Sequence, residues 1–217
     1  VEGYGEDQYI FMATANGTVK KTPLMDFSRP RTSGLIAIEL EDDNTLIGAS
    51  VTDGLSDVML FSSGGRSIRF KEQDVRAMGR SARGVRGIKL RASEVVISLI
   101  IPNAEGMLLL ASEKGYGKRT PVDEFSVIGR GGQGVIAMKL SERNGGLVGV
   151  AEVGSGFEVI LISDQGTLVR TRVDEVSRLG RNTQGVRLIN LSDGESLVGL
   201  ASFEEPELEA QYDDVPD

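Results

Sequence analysis

Basic side chains recur in register along this chain, and their type and spacing suggest binding to a polyanion. One set lies four residues after a glycine in each repeat: Lys21, Arg69, Arg119 and Arg170. A second set lies four residues before another recurring glycine, with two bases bracketing that position in the first repeat: Arg80, Arg130, Arg181, Arg29 and Arg31. Further bases flank both sets: Lys20, Arg66, Lys71, Arg83, Arg86, Lys118, Arg172 and Arg187. Arginine predominates, as expected where planar guanidinium groups meet phosphate oxygens.

The elements that position these bases repeat about every fifty residues. The glycines at 17, 65, 115 and 166 are 48, 50 and 51 residues apart, and those at 34, 84, 134 and 185 are 50, 50 and 51 apart. Apolar runs beginning at Leu46, Val96, Leu147 and Leu197 keep the same period. Repeats of this length built from short strands are typical of propeller-like arrays, which present the same surface chemistry several times.

The third repeat predicts about four strands. MLLLAS (107–112) has strand length, Glu113–Gly115 form a turn, and Tyr116–Thr120 return as a short basic strand. Pro121 is expected to break the ladder, after which VDEF (122–125) crosses the blade. The segments VIAMKL (135–140) and LVGVAEV (147–153) supply the other strands. The fold class is therefore all-β, with a core predicted to consist of Ile, Leu, Val and Met because aromatic residues make up only 5% of the chain.

The composition argues against an enzyme. The chain contains no histidine and no cysteine, so the commonest general base, the commonest metal ligand and any thiolate chemistry are missing. The acids of the recurring pairs Asp26-Phe27, Asp74-Val75, Glu124-Phe125 and Glu175-Val176 are interpreted as turn residues beside a core anchor. No catalytic residue, metal site or cofactor is predicted. The loop GRGGQG (129–134) lacks the Lys-Ser/Thr and the helix of a nucleotide-binding motif.

The net charge of −8 conceals a body that is close to neutral. Ten of the 32 acids lie in residues 1–7 and 204–217, which hold no base, so residues 8–203 carry 22 acids and 24 bases. The terminal segment 204–217 is predicted to be a disordered acidic tail that competes with a polyanion for the basic surface. No run of apolar residues is long enough to span a membrane. The absence of cysteine suits a reducing cytoplasm, and the missing initial methionine suggests a piece of a longer protein.

Several segments together resemble the C-terminal domain of the A subunit of bacterial DNA gyrase. They are FMATANGTVKKT (11–22), VRAMGR (75–80), RGVRGIKL (83–90), KGYGKRT (114–120), GTLVRTRV (166–173) and GRNTQGV (180–186). The resemblance implies a β-pinwheel, a propeller-like disc whose blades exchange strands, with blades at about 9–56, 57–106, 107–156 and 157–203 after a linker at 1–8. It also implies a non-catalytic domain that wraps double-stranded DNA, largely independently of sequence, around a basic rim. The partners would be the remainder of the gyrase A subunit and, through it, the gyrase B subunit, in the bacterial cytoplasm and nucleoid. ATP, magnesium and the catalytic tyrosine of the family would belong to other domains.

The chain departs from that family in two ways. Members usually have six blades, and only four repeats are present. The wrapping motif of the family (glutamine, basic, arginine, glycine, glycine, lysine, glycine) has no match, and GRGGQG (129–134) comes nearest. Two further blades are expected upstream. The alternatives left open are the C-terminal domain of the topoisomerase IV A subunit, a protein-interaction propeller and, least favoured, a propeller enzyme.

Overall fold

Fifteen β-strands and four short 3-10 helices make up the described part of the chain, which is residue 5 and residues 7–204 of a computed structural model. The strands are β1 Tyr9–Thr14, β2 Thr18–Pro23, β3 Leu46–Thr52, β4 Asp57–Ser62, β5 Arg66–Lys71, β6 Val85–Arg86, β7 Val96–Ile100, β8 Met107–Ser112, β9 Tyr116–Pro121, β10 Val135–Ile136, β11 Leu147–Val153, β12 Phe157–Ser163, β13 Leu168–Arg172, β14 Val186–Arg187 and β15 Leu197–Glu204. The 3-10 helices are Leu24–Phe27, Glu72–Asp74, Val122–Glu124 and Val173–Glu175. The predicted all-β pinwheel is confirmed. The predicted acidic tail lies outside the described residues from 205 onward.

The strands form four small antiparallel sheets, or blades, and neighbouring blades exchange a strand. The strand orders are β3-β1-β2-β6 in blade 1, β7-β4-β5-β10 in blade 2, β11-β8-β9-β14 in blade 3 and β15-β12-β13 in blade 4. The two-residue strands β6, β10 and β14 each come from the repeat that follows the blade they complete. We call residues 84–88, 134–138 and 185–189 the donated segments, and 34–38 the corresponding segment of repeat 1.

Repeat 3 differs from its predicted strand pattern in two places. VDEF does not cross the blade as a strand: Val122–Glu124 form a 3-10 helix after Pro121, which still pairs with Met107 at the end of β9. Only Val135–Ile136 of the segment 135–140 are in a strand, because the donated segment pairs over two residues and then turns away. The strands predicted at 107–112 and 147–153 are confirmed.

The core lies between blades rather than within them. Three clusters of buried apolar side chains join blades 1 and 2, blades 2 and 3, and blades 3 and 4. Phenylalanine contributes more to these clusters than the composition suggested, since Phe11, Phe61, Phe70 and Phe125 are all fully buried or nearly so. Phe61 packs edge-on against Phe125 across the joint between blades 2 and 3, with the ring centroids 6.1 Å apart. Few aromatic residues therefore suffice, because they are concentrated at the joints.

Contacts between the edge strands of neighbouring blades show which edge of each blade faces the inside of the array and which faces the outside. The edge strands β3, β7, β11 and β15 contact one another in succession. The opposite edges, formed by β6, β10 and β14, therefore lie on the outside. We call β6, β10 and β14, with the loops that lead into them (75–84, 126–134 and 177–185), the outer rim.

Candidate nucleic-acid interface

Two of the arginines four residues before a recurring glycine tie the outer rim together. The Nη1 of Arg130 donates to the carbonyl of Arg86 over 3.1 Å, and its Nε donates to the carbonyl of Asp74 over 2.9 Å. The Nη1 of Arg181 donates to the carbonyl of Ile136 over 2.7 Å. Each side chain thus reaches from the loop of one repeat to the donated segment of the preceding repeat. A guanidinium carries five N–H donors, so both groups keep donors for an anion.

Other predicted bases, on the rim, in repeat 1 and on β13, have no side-chain partner in the part of the chain that the structure describes. These side chains make no hydrogen bond or ion pair with residues 5 and 7–204: Arg29, Arg31, Arg80, Arg86 and Arg172. All of them are exposed except the half-buried Arg80. Arg31 and Arg80 line a shared open cavity of about 510 Å³ next to Gly34–Ile36. Unpaired exposed guanidinium groups are the strongest candidates for phosphate contacts.

Three predicted bases on the outer rim or on the strand next to it are engaged locally. Arg83 lies 2.9 Å from the Glu39 carboxylate, which raises the pKa of Arg83. Arg66 donates to the carbonyls of Gln133 and Gly134 over 2.9 and 2.6 Å. Arg187 donates to the Tyr116 hydroxyl over 2.8 Å, and Arg143 lies over the same ring at 4.8 Å. The hydrogen bonds of Arg143 and Arg187 lower the pKa of Tyr116.

The set four residues after the first recurring glycine connects blades to each other. Arg69 donates to the carbonyls of Val122 and Phe125 in the next blade, over 3.0 and 3.1 Å. Arg119 repeats this contact with the carbonyls of Val176 and Asp174, over 2.8 and 3.2 Å, and with the Asp174 carboxylate. Lys21, which is 7% exposed, reaches the Glu72 carbonyl over 3.2 Å. Their recurrence is thus accounted for by the joints, and their predicted contact with DNA remains a prediction.

Asp57 and Glu158 are the acidic partners of two members of that set, Arg69 and Arg170, and Asp57 also pairs with the neighbouring Lys71. Asp57 lies 2.7 Å from Arg69 and 2.6 Å from Lys71. Burial by itself raises the pKa of Asp57, but the hydrogen bonds from Lys71 and Arg69 outweigh it and hold the pKa below its usual range. In blade 4, Arg170 pairs with Glu158 and lies over the Phe203 ring at 5.2 Å. Within residues 5 and 7–204 no blade follows Arg170, and its side chain is 54% exposed.

Two lysines predicted to bind DNA are buried. Lys20 and Lys118 are both 0% exposed. The Lys118 ammonium donates to the carbonyls of Gly180 and Arg181 over 2.7 and 2.5 Å, and Lys20 donates to the carbonyls of Ala37 and Arg80. Burial lowers the pKa of Lys118 to about 8 and also lowers that of Lys20. Neither ammonium is on the surface where a phosphate could reach it, because both hold the rim loop of the next repeat.

Four bases that were not among the predicted residues lie on or beside the outer rim: Arg76 and Arg178 in its loops, and Lys89 and Lys139 shortly after β6 and β10. Lys89 and Lys139 each lie five residues after a recurring glycine and are exposed. Their backbone N–H groups donate to the carbonyls of Gly132 and Thr183 in the next rim loop, over 2.8 and 2.9 Å. Both stand in the recurring segments VRGIKL and VIAMKL, so the register was available from the sequence, but only two repeats have lysine there.

Other kinds of site find no support within residues 5 and 7–204. No group of three or more acidic, histidine or cysteine side chains in this range could hold a metal ion. None of the described helices is long and apolar enough to cross a membrane.

A strand-exchanged array of blades with an arginine-rich outer rim defines a propeller-like class of DNA-associated domains, and comparison with known proteins identifies the family. The family model described as "DNA gyrase C-terminal domain, beta-propeller" matches residues 8–53, 56–103, 106–153 and 158–204. The chain belongs to this family. It is 63% identical over 198 residues to the DNA gyrase A subunit of Pseudomonas aeruginosa, covering 91% of the chain and 22% of the relative. It is 50% identical over 215 residues to that of Escherichia coli K12, covering 99% and 25%.

Solved structures agree with the fold. A structure described as the DNA gyrase A C-terminal domain matches with a TM-score of 0.82 at 28% identity, covering 94% of this chain and 68% of that one. A C-terminal domain of DNA topoisomerase IV matches with a TM-score of 0.87 at 22% identity, covering 94% and 64%, which shows the shared fold alone. The chain spans about a quarter of the length of the curated relatives it matches.

Proposed function

We propose that this chain is the DNA-binding and DNA-wrapping domain of a bacterial DNA gyrase A subunit. It carries no catalysis of its own. It bends double-stranded DNA around the outer rim, largely without regard to sequence, so that the complete enzyme introduces negative supercoils. Its partners are the remainder of the gyrase A subunit and, through it, the gyrase B subunit in the bacterial cytoplasm. ATP and magnesium act in those other parts.

The observation that carries the proposal is the repetition of partly unsatisfied guanidinium groups along one edge. Arg80, Arg130 and Arg181 occupy the same position in three successive rim loops, and Arg86 and Arg187 lie on two of the donated segments. Equivalent positions in successive blades present positive charge repeatedly along one edge, which suits an extended polyanion such as a DNA duplex.

The mechanism is electrostatic and mechanical. Bending 20–30 base pairs around a curved surface costs on the order of 1–6 kcal/mol. Phosphate contacts from several blades offset this cost, and each contact also releases counterions. The longest of the described helices has four residues, so no recognition helix enters a major groove. Backbone contacts without base readout are consistent with binding that is independent of sequence.

A salt titration with random-sequence duplex DNA tests the binding. If about 6–10 phosphates are contacted, the affinity falls by about 10³–10⁵ between 50 and 200 mM salt. Replacing Arg80, Arg130 and Arg181 by glutamine lowers the salt slope by about one unit for each contact removed. Arg91→Gln is the matched control, because Arg91 is an exposed arginine in the loop before β7, outside the outer rim as defined above. A flat salt response would instead favour a protein-interaction propeller.

Wrapping is tested separately from binding. Nicked circular DNA is ligated while the protein is bound, and the linking number of the product is measured after the protein is removed. Wrapping leaves a linking-number change that grows with protein concentration, and the triple arginine variant loses it. Salt-dependent binding with no change in linking number would support the proposed contact with DNA but contradict the proposed wrapping.

A further inference from the structure

Two arginines converge on one tyrosine where blade 3 receives its donated segment. Tyr116 begins β9 and stands opposite Arg187 of β14 in the register of the two strands. The Nη2 of Arg187 donates to the Tyr116 hydroxyl over 2.8 Å. The guanidinium carbons of Arg143 and Arg187 lie 4.8 and 5.3 Å from the centroid of the Tyr116 ring. Tyr116 is only 5% exposed, whereas both arginines are exposed, and we call the three residues the Tyr116 cluster.

A longer loop brings Arg143 to this cluster. Leu147, the first residue of β11, lies 13 residues after Gly134, whereas the corresponding distance is 12 residues in the other three repeats. Asn144, which is 0% exposed, anchors the loop, because its Nδ2 donates to the Lys139 carbonyl over 3.0 Å and to a carbonyl of the following rim loop over 3.2 Å. Arg143 is thus placed beside the tyrosine by its buried neighbour and not by an ion pair of its own.

The Tyr116 cluster occurs at only one of the three joints that the structure describes. In blade 1 Arg86 stands opposite Thr18, and in blade 2 an isoleucine stands opposite Arg66. Nine residues after the recurring glycine, where repeat 3 has Arg143, the other repeats have aspartate, serine and glycine. The joints of blades 1 and 2 form without such a cluster, so the fold does not account for it.

The two positive charges of the cluster are not neutralised within residues 5 and 7–204. Three carboxylates line the cavity of about 410 Å³ beside the cluster: Glu113, Asp193 and Glu195. None of them forms an ion pair with Arg143 or Arg187, and Glu113 and Glu195 instead accept backbone N–H groups over 3.2 and 2.8 Å. Neighbouring like charges repel each other, so an anion that contacts both arginines is favoured.

The free donors of the cluster match a phosphate group. The Tyr116 hydroxyl accepts a hydrogen bond from Arg187, so its own O–H is available to donate. Arg187 uses N–H groups for Tyr116 and Asn190, and its guanidinium has five, so further donors remain. Guanidinium groups bind phosphate oxygens through paired hydrogen bonds. We propose that Tyr116, Arg143 and Arg187 form a binding site for one phosphate group.

The phosphate group at this site has two possible sources. Arg187 lies on the outer rim, so a duplex that follows the rim passes next to the cluster and can insert a backbone phosphate. For this source the inference rests on the proposed DNA binding. The other source is a free phosphate compound that enters the cavity from solution, and this source does not depend on DNA.

Titrations with random-sequence duplex DNA test the first source. Arg143→Gln should lower the slope of log affinity against log salt by about one unit and the affinity by about tenfold, because one charged contact is lost. Tyr116→Phe keeps the ring and removes only the hydroxyl, so it should weaken binding several-fold without changing the slope. Arg91→Gln is the control, since Arg91 is exposed in the corresponding loop of repeat 2, and it should leave both quantities unchanged.

Thermal unfolding with inorganic pyrophosphate, at constant ionic strength and without DNA, tests the second source. Binding to the folded chain raises the Tm, and Arg143→Gln and Tyr116→Phe should abolish this rise while the control keeps it. A changed DNA titration without a pyrophosphate effect identifies the source as DNA, and the reverse identifies a free phosphate compound. Pyrophosphate binding by a natural chain that does not bind DNA would contradict the proposed function and retain the phosphate site.

Two results would overturn the site. The first is that Arg143→Gln and Tyr116→Phe both behave like Arg91→Gln in both experiments. The second is that Arg143→Gln lowers the salt slope while Tyr116→Phe behaves like the control throughout, because Arg143 would then be one more charge of a diffuse basic surface. Urea denaturation of the three variants confirms that each is folded before it is compared.

Discussion

Arg119 and Arg170 occupy the same position in successive repeats but have different surroundings. Arg119 donates to two carbonyls and a carboxylate of blade 4. Arg170 contacts no further blade in the part of the chain that the structure describes, pairs within its own sheet with Glu158 and is 54% exposed. The difference shows that, in an array, the neighbour decides whether a recurring charge holds the fold together or remains at the surface. Register alone does not separate these two roles.

The largest loss of stability is expected when an arginine that connects two blades is removed. Arg69→Ala should lower the free energy of unfolding by about 3 kcal/mol, because it removes one of the two cations beside the nearly buried Asp57 and leaves two carbonyls at a joint without their donor. Arg170→Ala should cost about 1 kcal/mol or less, since its ion pair is half exposed. Urea denaturation measures both values. Equal losses in the two variants would contradict the distinction between joint and end.

The next largest difference in stability is expected between two glycines at equivalent positions of repeats 3 and 1. Gly134→Ala should cost about 2 kcal/mol or more, because its φ of +67° strains alanine and its Cβ would meet the Ser67 carbonyl oxygen at 2.1 Å. Gly34→Ala carries only the strain of its φ of +79°, at about 1 kcal/mol. Thermal unfolding of the two proteins compares them directly. A Gly134→Ala protein with unchanged stability but lost DNA binding would make Gly134 a ligand contact.

Neutralising one arginine of the outer rim should have a smaller effect, and this effect should be confined to DNA binding. Arg130→Gln should lower the slope of log affinity against log salt by about one unit, because one phosphate contact is lost. The buried Lys118 provides the contrast: Lys118→Met should leave the salt slope unchanged while altering stability. Fluorescence anisotropy with a labelled duplex at several salt concentrations measures both slopes. A reduced slope in the Lys118 variant would show that its ammonium reaches the DNA.

The smallest expected effect is the pH dependence contributed by Lys118. Its folded pKa of about 8 lies below its ordinary value of 10.5. Between these two values the unfolded chain binds more protons at this group, so this contribution to stability rises with pH. The natural chain should therefore gain stability relative to Lys118→Met from pH 8 to pH 10. Urea denaturation of both proteins across this range measures the difference, and parallel pH profiles would contradict it.

The sequence predicted the periodic features well because they are local. The turn glycines and the strands at 107–112 and 147–153 follow from backbone freedom and apolar alternation within a few residues. The acid and apolar pairs of repeats 2 to 4 are confirmed as turns with core anchors, since Val75, Phe125 and Val176 are buried at the ends of their 3-10 helices. In repeat 1, by contrast, Phe27 is only half-buried.

The sequence could not separate the rim bases from the joint bases. Lys118 and Arg130 are both basic and close to glycines, yet Lys118 is buried under a loop about sixty residues later, whereas Arg130 lies on the surface. The distinction depends on contacts between repeats, which no pattern within one repeat encodes. Similarly, the segment 135–140 has the pattern of an ordinary strand of its own blade, whereas its partner in the structure is blade 2.

The outer strand of each of the first three blades comes from the next repeat, and this affects the order in which the protein can fold during synthesis. When the ribosome has made blade 3 through Val153, β14 at Val186–Arg187 has not yet been translated, so blade 3 still lacks its outer strand. Each of the first three blades is thus completed only after most of the next repeat has emerged. A premature stop would therefore damage the blade before the truncation as well as the missing one. The smallest unit that can mature in the cell spans two repeats.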